Sequence, residues 1–260
     1  NQRATRAAVK PRTECCIAFI LAFVLTVPAR ASSDPPPDLA RRVARKESQS
    51  KKARDHYTYR QAVIVEEFPG PGSRGGQYRE VRDVIFSPEG ERSDKVIGRI
   101  TSNLNRLRLT EEDFRDIREV QPFLFVEENL WAYTTRFRGE ASIDGEDCWL
   151  LEVRPRQIFD GQRLFEGLLW ISKRDEAVVR SEGKAVPDII SSKTENLFPR
   201  FTTIRRKIDN EHWFPVYTYA DDTLPFRSGP IRMRMRIEYS SYKRFEANST
   251  IEFKQAEPNP

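Results

Sequence analysis

Apolar and polar residues alternate with period two across the middle of the chain, and that rhythm predicts back-to-back β-hairpins. Trp131, Tyr133, Thr135 and Phe137 alternate with Ala132, Thr134, Arg136 and Arg138, as in a strand with one wet face. Asp144-Gly145 supplies a turn that tolerates positive φ. The chain returns through Trp149, Leu151 and Val153, set against Leu150, Glu152 and Arg154. Gln162 to Ser172 is apolar on both faces, with Leu164, Leu168 and Trp170 on one and Phe165, Leu169 and Ile171 on the other. That pattern predicts a strand covered on both sides. Residues 173–176 turn it back into Ala177-Val178-Val179-Arg180.

The flanking chain follows the same logic. Asp38 to about Ala53 predicts a helix whose thin apolar stripe, Leu39 and Val43, suits the domain surface. Tyr57 to Phe68 is the first strand, and Gln77–Ser87 with Arg92–Ile100 forms a hairpin across residues 88–90. The loop 69–76 lacks the spacing of a phosphate-binding loop, and Pro71 breaks a nucleophile elbow. Thr110 should cap a short helix edged by Phe114, Ile117 and Val120 and stopped by Pro122. After a longer connection at 187–199, Phe201–Ile208 and Trp213–Tyr219 make a third hairpin. Ile231, Met233, Met235, Ile237 and Tyr239 alternate with Arg232, Arg234, Arg236 and Glu238, and Thr250–Phe253 could add a last strand. About eleven strands and two or three helices define a mainly β fold, one curved antiparallel sheet with helices over one face.

Charge changes the picture only through its location. The formal net charge is +5, but residues 1–31 carry a net +4 of it, so nucleic-acid binding gains little support. Those residues have the three regions of a secretory signal: basic residues to Arg12, an apolar run from Cys15 to Val27, and Ala29-Arg30-Ala31 as a small-x-small cleavage site. The run is shorter than the ~20 apolar residues a membrane span needs. The expected organisation is therefore a signal peptide over 1–31, cleaved near Ala31, and one periplasmic domain over 32–260. Cleavage would remove Cys15 and Cys16 and leave Cys148 without an internal disulfide partner.

Candidate chemistry is sparse. With two histidines, His56 and His212, a zinc site is poorly supplied, and no metal or cofactor is expected. Asp221-Asp222 would point to opposite faces of a strand, and His212 would lie about 30 Å from Asp221 at ~3.3 Å per residue. No catalytic residue is assigned. The aromatic and sulfur-bearing strand residues allow two readings, core packing or the wall of an apolar cavity left by a sheet with too little helix to fill it. The cavity candidates are Tyr133, Phe137, Trp149, Leu151, Leu168, Trp170, Trp213, Met233 and Met235. A basic row (Arg136, Arg138, Arg154, Arg205, Lys207, Arg232, Arg234, Arg236) predicts a solvated outer face, or weak membrane-surface contact through acidic headgroups.

Several short motifs carry a resemblance. Leu109-Thr110-Glu111-Glu112-Asp113-Phe114, Pro122-Phe123 and Asn129-Leu130-Trp131-Ala132-Tyr133 resemble the middle of bacterial LolA-like proteins, the outer-membrane lipoprotein-sorting group. So do Gly167-Leu168-Leu169-Trp170-Ile171-Ser172, Val178-Val179-Arg180, Trp213-Phe214-Pro215 and Tyr239-Ser240-Ser241-Tyr242-Lys243-Arg244-Phe245. The resemblance spans roughly 57–254 and implies an unclosed β-barrel with helices as a lid. It implies a carrier of lipid acyl chains or lipoproteins, without catalysis. The alternative within the same fold is an envelope-stress sensor that binds a protein partner, and an enzyme comes third. The leader predicts a mature protein beginning near Ser32; intact mass of the exported form checks it, and retention of residues 1–31 contradicts it.

Overall fold

The computed structural model describes residues 34–68, 70, 75–87, 91–120, 125–159, 161–190 and 195–245, with backbone alone at 119 and 120. The leader with Cys15 and Cys16, the turn 88–90, the Val120 side chain, Pro122 and the strand expected at 250–253 lie outside the described residues.

After helix α1 (Leu39–Arg54), four strands follow: β1 (Tyr57–Phe68), β2 (Gln77–Phe86), β3 (Arg92–Val96) and β4 (Thr101–Ser102). Helix α2 (Glu111–Arg115) runs on into a wider-wound turn, Asp116–Val120. A short 3₁₀ segment, Glu127–Ala132, leads into β5 (Tyr133–Ile143), β6 (Glu146–Pro155), β7 (Leu164–Ser172) and β8 (Val178–Val186). Two-residue strands β9 (Ile189–Ile190) and β10 (Glu195–Asn196) pair with each other. Then come β11 (Phe201–Ile208), β12 (His212–Leu224) and β13 (Ile231–Arg244).

Eleven strands form one antiparallel sheet in the order β3-β2-β1-β13-β12-β11-β8-β7-β6-β5, with β4 beside β2. Strands β3 and β5 end the order and do not pair with each other, so the sheet is an unclosed barrel. Its inner face is set by register. Val63 and Val65 of β1 oppose Ile237 and Met235 of β13, and Leu151 of β6 lies between Phe137 of β5 and Leu169 of β7. These residues belong to one continuous apolar core. A glycine pair opens the sheet locally: Gly167 and Gly183 are cross-strand partners, and the Phe165 ring lies over both. A methyl group at either position would come within 2.5–2.6 Å of that ring, so only glycine admits it.

Three expectations are corrected. Helix α1 is not a surface helix: Leu39, Val43, Ala44, Glu47, Ser48, Ser50 and Arg54 are all buried. Two of its polar inward positions have polar partners on other elements, so a thin apolar stripe does not mean exposure. Glu47 pairs with Arg205 of β11, both side chains at 1% exposure or less, and the Ser48 hydroxyl accepts the Glu127 N–H at 2.9 Å. Arg205 therefore leaves the outer basic row. Trp131 is not on a strand but in the 3₁₀ segment, 61% exposed, because β5 begins only at Tyr133. Strand β12 continues through Leu224, beyond the expected Tyr219, and Asp221 and Asp222 point to opposite faces as expected: Asp221 faces Arg234 outside while Asp222 sits opposite Met233 inside.

The Glu47–Arg205 pair has a distinct energetic signature. Burial pushes the Glu47 carboxyl above its ordinary range, against the pull of the guanidinium. Replacing Arg205 alone with Met should cost about 3–5 kcal/mol by stranding a buried carboxylate. Adding Glu47→Leu should recover most of that loss; urea denaturation of both variants checks the difference.

Candidate functional site: a cleft at the open end of the sheet

The two ends of the sheet are built differently. At the end carrying the β5–β6, β7–β8 and β11–β12 turns, α1 lies across the inner face, tied by Arg42 Nε to Glu176 at 2.8 Å. At the other end, irregular segments form the walls.

The first wall is the lip 103–113, hung on one carboxylate. Glu67, at the end of β1 and 1% exposed, accepts the backbone N–H groups of Asn105, Arg106 and Leu107 at 2.5, 3.0 and 2.7 Å. The Arg106 guanidinium then donates to the carbonyls of Ser228 and Gly229, at 3.3 and 3.2 Å, joining the lip to the β12–β13 turn. Thr110 and Asp113 form the expected capping box, and Asp113 Oδ2 accepts the Thr110 N–H at 2.7 Å. Burial and nearby Asp116 and Glu112 push the Asp113 carboxyl up; its bonds to Thr110 pull it down, and burial wins.

The second wall is the connection 195–199. Asn196 Nδ2 donates to Thr110 Oγ1 at 2.6 Å, bringing it against the first. Arg163, ahead of β7, clamps both: it pairs with buried Asp116, donates to the Pro187 carbonyl and lies over the Phe198 ring at 3.8 Å.

Between the walls is a cleft of about 740 Å³, lined by Leu107, Leu109, Leu197, Leu224, Phe226 and Met233, with Arg106, Arg108, Glu112, Asp113, Glu195 and Asn196 among its polar residues. Leu109, Asp113, Pro199 and Met233 also line a void of about 30 Å³ beneath it, floored by Val65, Ala185, Phe201 and Met235.

The cavity candidates divide three ways. Met233 lines both spaces and Met235 the inner void. Tyr133, Trp149 and Leu151 share the same core but are buried within it, with Phe137 packed against them; the Tyr133 hydroxyl is held by the Phe165 N–H at 3.0 Å. Leu168 and Trp170 are on the opposite face, since their partners Glu152 and Leu150 alternate with the inward Leu151. Trp170 packs with Cys148, Val179 and Trp213 in a separate cluster. Trp213 donates from Nε1 to Asp175 at 2.9 Å and lines a different pocket of about 360 Å³ with Ile143 and Val179. Most of the cleft wall (Leu107, Leu109, Leu197, Phe226) escaped the sequence reading because it lies on irregular chain, where no period marks a face.

Other reactive groups are quiet. Cys148 is buried and its thiol is pushed up to about 11, by burial first and then by Glu146 and Asp147. His212 stacks on Phe214 with rings 5.5 Å apart, and burial lowers its pKa. Among the described residues no group of three His, Cys, Asp or Glu could hold a metal, and no helix is long and apolar enough to cross a membrane. The outer basic row is charge-paired: Arg232 and Arg234 share Asp221, Arg236 meets Glu66, and Arg138 and Arg154 share Glu152.

These features define an unclosed antiparallel half-barrel with a lipped apolar cleft. No family model matches the chain, and no curated protein matches it. Solved structures with a similar chain course include a DUF1329 family protein from Desulfovibrio piger, 14% identical, covering 81% of this chain and 94% of that one, TM-score 0.41. A LolA superfamily protein from Nitrosomonas europaea is 16% identical over 78% of this chain and 94% of its own, TM-score 0.33. A putative outer-membrane lipoprotein-sorting protein domain from Vibrio parahaemolyticus is 12% identical over 80% and 93%, TM-score 0.37. These likenesses are distant, and functional argument rests on the cleft.

Because Thr110 joins both walls, Thr110→Val should lower stability by about 1–2 kcal/mol, as loss of a helix N-cap does. Thermal denaturation measures it, and faster amide exchange at 111–115 should accompany it.

Proposed function

We propose that this protein is an exported, non-catalytic binding protein that holds a lipid acyl chain, free or on a lipoprotein, in the cleft between residues 106–113 and 195–199. The supporting observation is the cleft itself. Its volume of about 740 Å³ falls within the roughly 300–1,000 Å³ typical of ligand pockets. Its walls offer leucine, phenylalanine and methionine, with polar groups at the lip. Such a space favours a long apolar ligand with a polar end, since each buried CH₂ contributes about 0.8 kcal/mol. The Thr110 hydroxyl and Asp113 carboxylate that line the cleft are engaged with each other in the helix cap, and carriage is preferred to catalysis.

Filling the cleft tests this. Met233→Trp and Leu197→Trp should each weaken binding of a fluorescent long-chain fatty acid by about tenfold or more, equivalent to ~1.4 kcal/mol. Leu168→Trp, on the opposite face, should leave it unchanged. A protein that binds no fatty acid, and whose native mass shows no copurified lipid, would be read instead as the partner-binding sensor.

A further inference from the structure

The end of the sheet that carries the cleft also carries a group of exposed apolar side chains. Large apolar side chains are exposed where β5 to β8 begin or end at this side of the sheet: Trp131 at 61%, Ile158 at 37%, Phe159 at 47% and Ile190 at 57%. The Arg156 N–H donates to the Ala132 carbonyl at 2.7 Å, which places Trp131 beside the strand exit that carries Ile158 and Phe159. Ile190 follows β8, the next strand but one. Arginines lie among them, with Arg106, Arg108, Arg156 and Arg200 all exposed.

Two of these cations are held by backbone carbonyls. Arg106 and Arg156 place guanidinium N–H groups on backbone carbonyls, those of Ser228, Gly229 and Tyr133, so their charge is oriented without being neutralised. The lip's carboxylates meet other cations: Glu112 faces Arg115, Glu111 faces Arg118, and Asp116 holds Arg163. At the opposite end, Lys173 meets Glu140, Arg174 meets Glu146, Lys207 meets Asp175 and Arg244 meets Glu211. Arg232, Arg234 and Arg236 of the outer row are paired in the same way.

We infer that the open end, with Trp131, Ile158, Phe159 and Ile190 among Arg106, Arg108, Arg156 and Arg200, is a docking surface for an anionic lipid bilayer. Tryptophan and phenylalanine settle at the headgroup boundary, where an apolar ring and a wet surface are both satisfied. Exposed arginines at the same end meet acidic headgroups. The chemistry is that of a peripheral, reversible contact. It stands independently of the cleft's ligand, because it concerns the rim alone.

The test is cosedimentation of the purified full chain with vesicles of phosphatidylcholine alone and of phosphatidylcholine with phosphatidylglycerol in equal parts. Residues 1–31 are common to every variant and cancel in the comparison. Binding should favour the anionic vesicles and fall as salt rises. Trp131 is far more exposed than Trp149 and Trp213, at 8% each, so its fluorescence should shift blue and be quenched by brominated lipid. Arg108→Gln and Arg200→Gln should each weaken binding about fivefold, and Trp131→Ser with Phe159→Ser should abolish the quenching. Arg232→Gln with Arg234→Gln and Arg236→Gln, on the paired outer face, should bind like the parent. The rim positions are exposed and Arg234 and Arg236 half-buried, so unchanged melting temperatures verify folding. No preference for anionic vesicles, or equal losses from rim and outer-face variants, overturns the inference. So does a rim that leaves vesicles alone and binds only protein.

Discussion

An open sheet of eleven strands has an inner face wider than its own side chains can fill, and the rest of this structure answers that constraint. A closed barrel of similar size would pack its interior with inward residues from every strand. Here β3 and β5 stay apart, and cover must come from chain outside the sheet. The sequence supplies little of it: α1, the turn through 111–120 and the segment 125–132. Helix α1 takes the end with the hairpin turns. The lip and the connection 195–199 take the other end, where they meet each other as much as the sheet and leave the cleft between them.

Buried polar groups hold these covering pieces in register. Glu67 sits where the β1 pattern would place another apolar residue and gathers three consecutive amides of the lip. Glu47 and Arg205 meet between α1 and β11, and Arg163 meets Asp116 between the β7 entry and the 116–120 turn. Buried pairs of this kind add little net stability, because desolvation offsets attraction. Their effect is to exclude alternatives, since any slip of the cover would leave a charge in a dry interior. The cleft's dimensions are therefore fixed by charged contacts at its edges and not by close packing across it. That arrangement keeps an apolar space open without collapse.

The sheet was legible in the sequence because period-two alternation survives wherever one face is wet. β1 and β11 run over the expected residues, and the capping box at Thr110 and Asp113 could be read from residue types alone. Where both faces are covered the rhythm loses its sign. Leu168 and Trp170 looked as inward as Leu169 and Ile171, and only the register with β6 shows that they point out. Trp131 looked like the first residue of a strand, but the 3₁₀ turn ahead of β5 removes it from the sheet. Polar inward positions misled most: Glu47, Ser48, Ser50 and Arg54 made α1 look solvated, and Arg205 looked like a member of a surface row. Their partners lie more than 75 residues away in the two cases resolved by direct bonds, Ser48 with Glu127 and Glu47 with Arg205, beyond any local window. The cleft wall was illegible for a simpler reason, since leucines at 107, 109 and 197 on irregular chain carry no face.

The two ends of the half-barrel also bear on how an apolar ligand could reach the interior. With α1 across one end, the cleft lies at the other, the end of the sheet that also carries the exposed rings. An acyl chain leaving a bilayer through water would expose its whole length, at about 0.8 kcal/mol per CH₂, a barrier of roughly ten kcal/mol or more for a long chain. A carrier that waited in solution would have to meet that cost before its own walls contributed anything. If the rim rests on the headgroups, methylenes can pass from lipid to Leu107, Phe226 and Met233 in sequence, each gaining protein contact as it loses lipid contact. The cost then falls to that of the few groups in transit. On this view the exposed rings and the cleft form one functional arrangement, and their occurrence at the same end of the sheet has a physical reason.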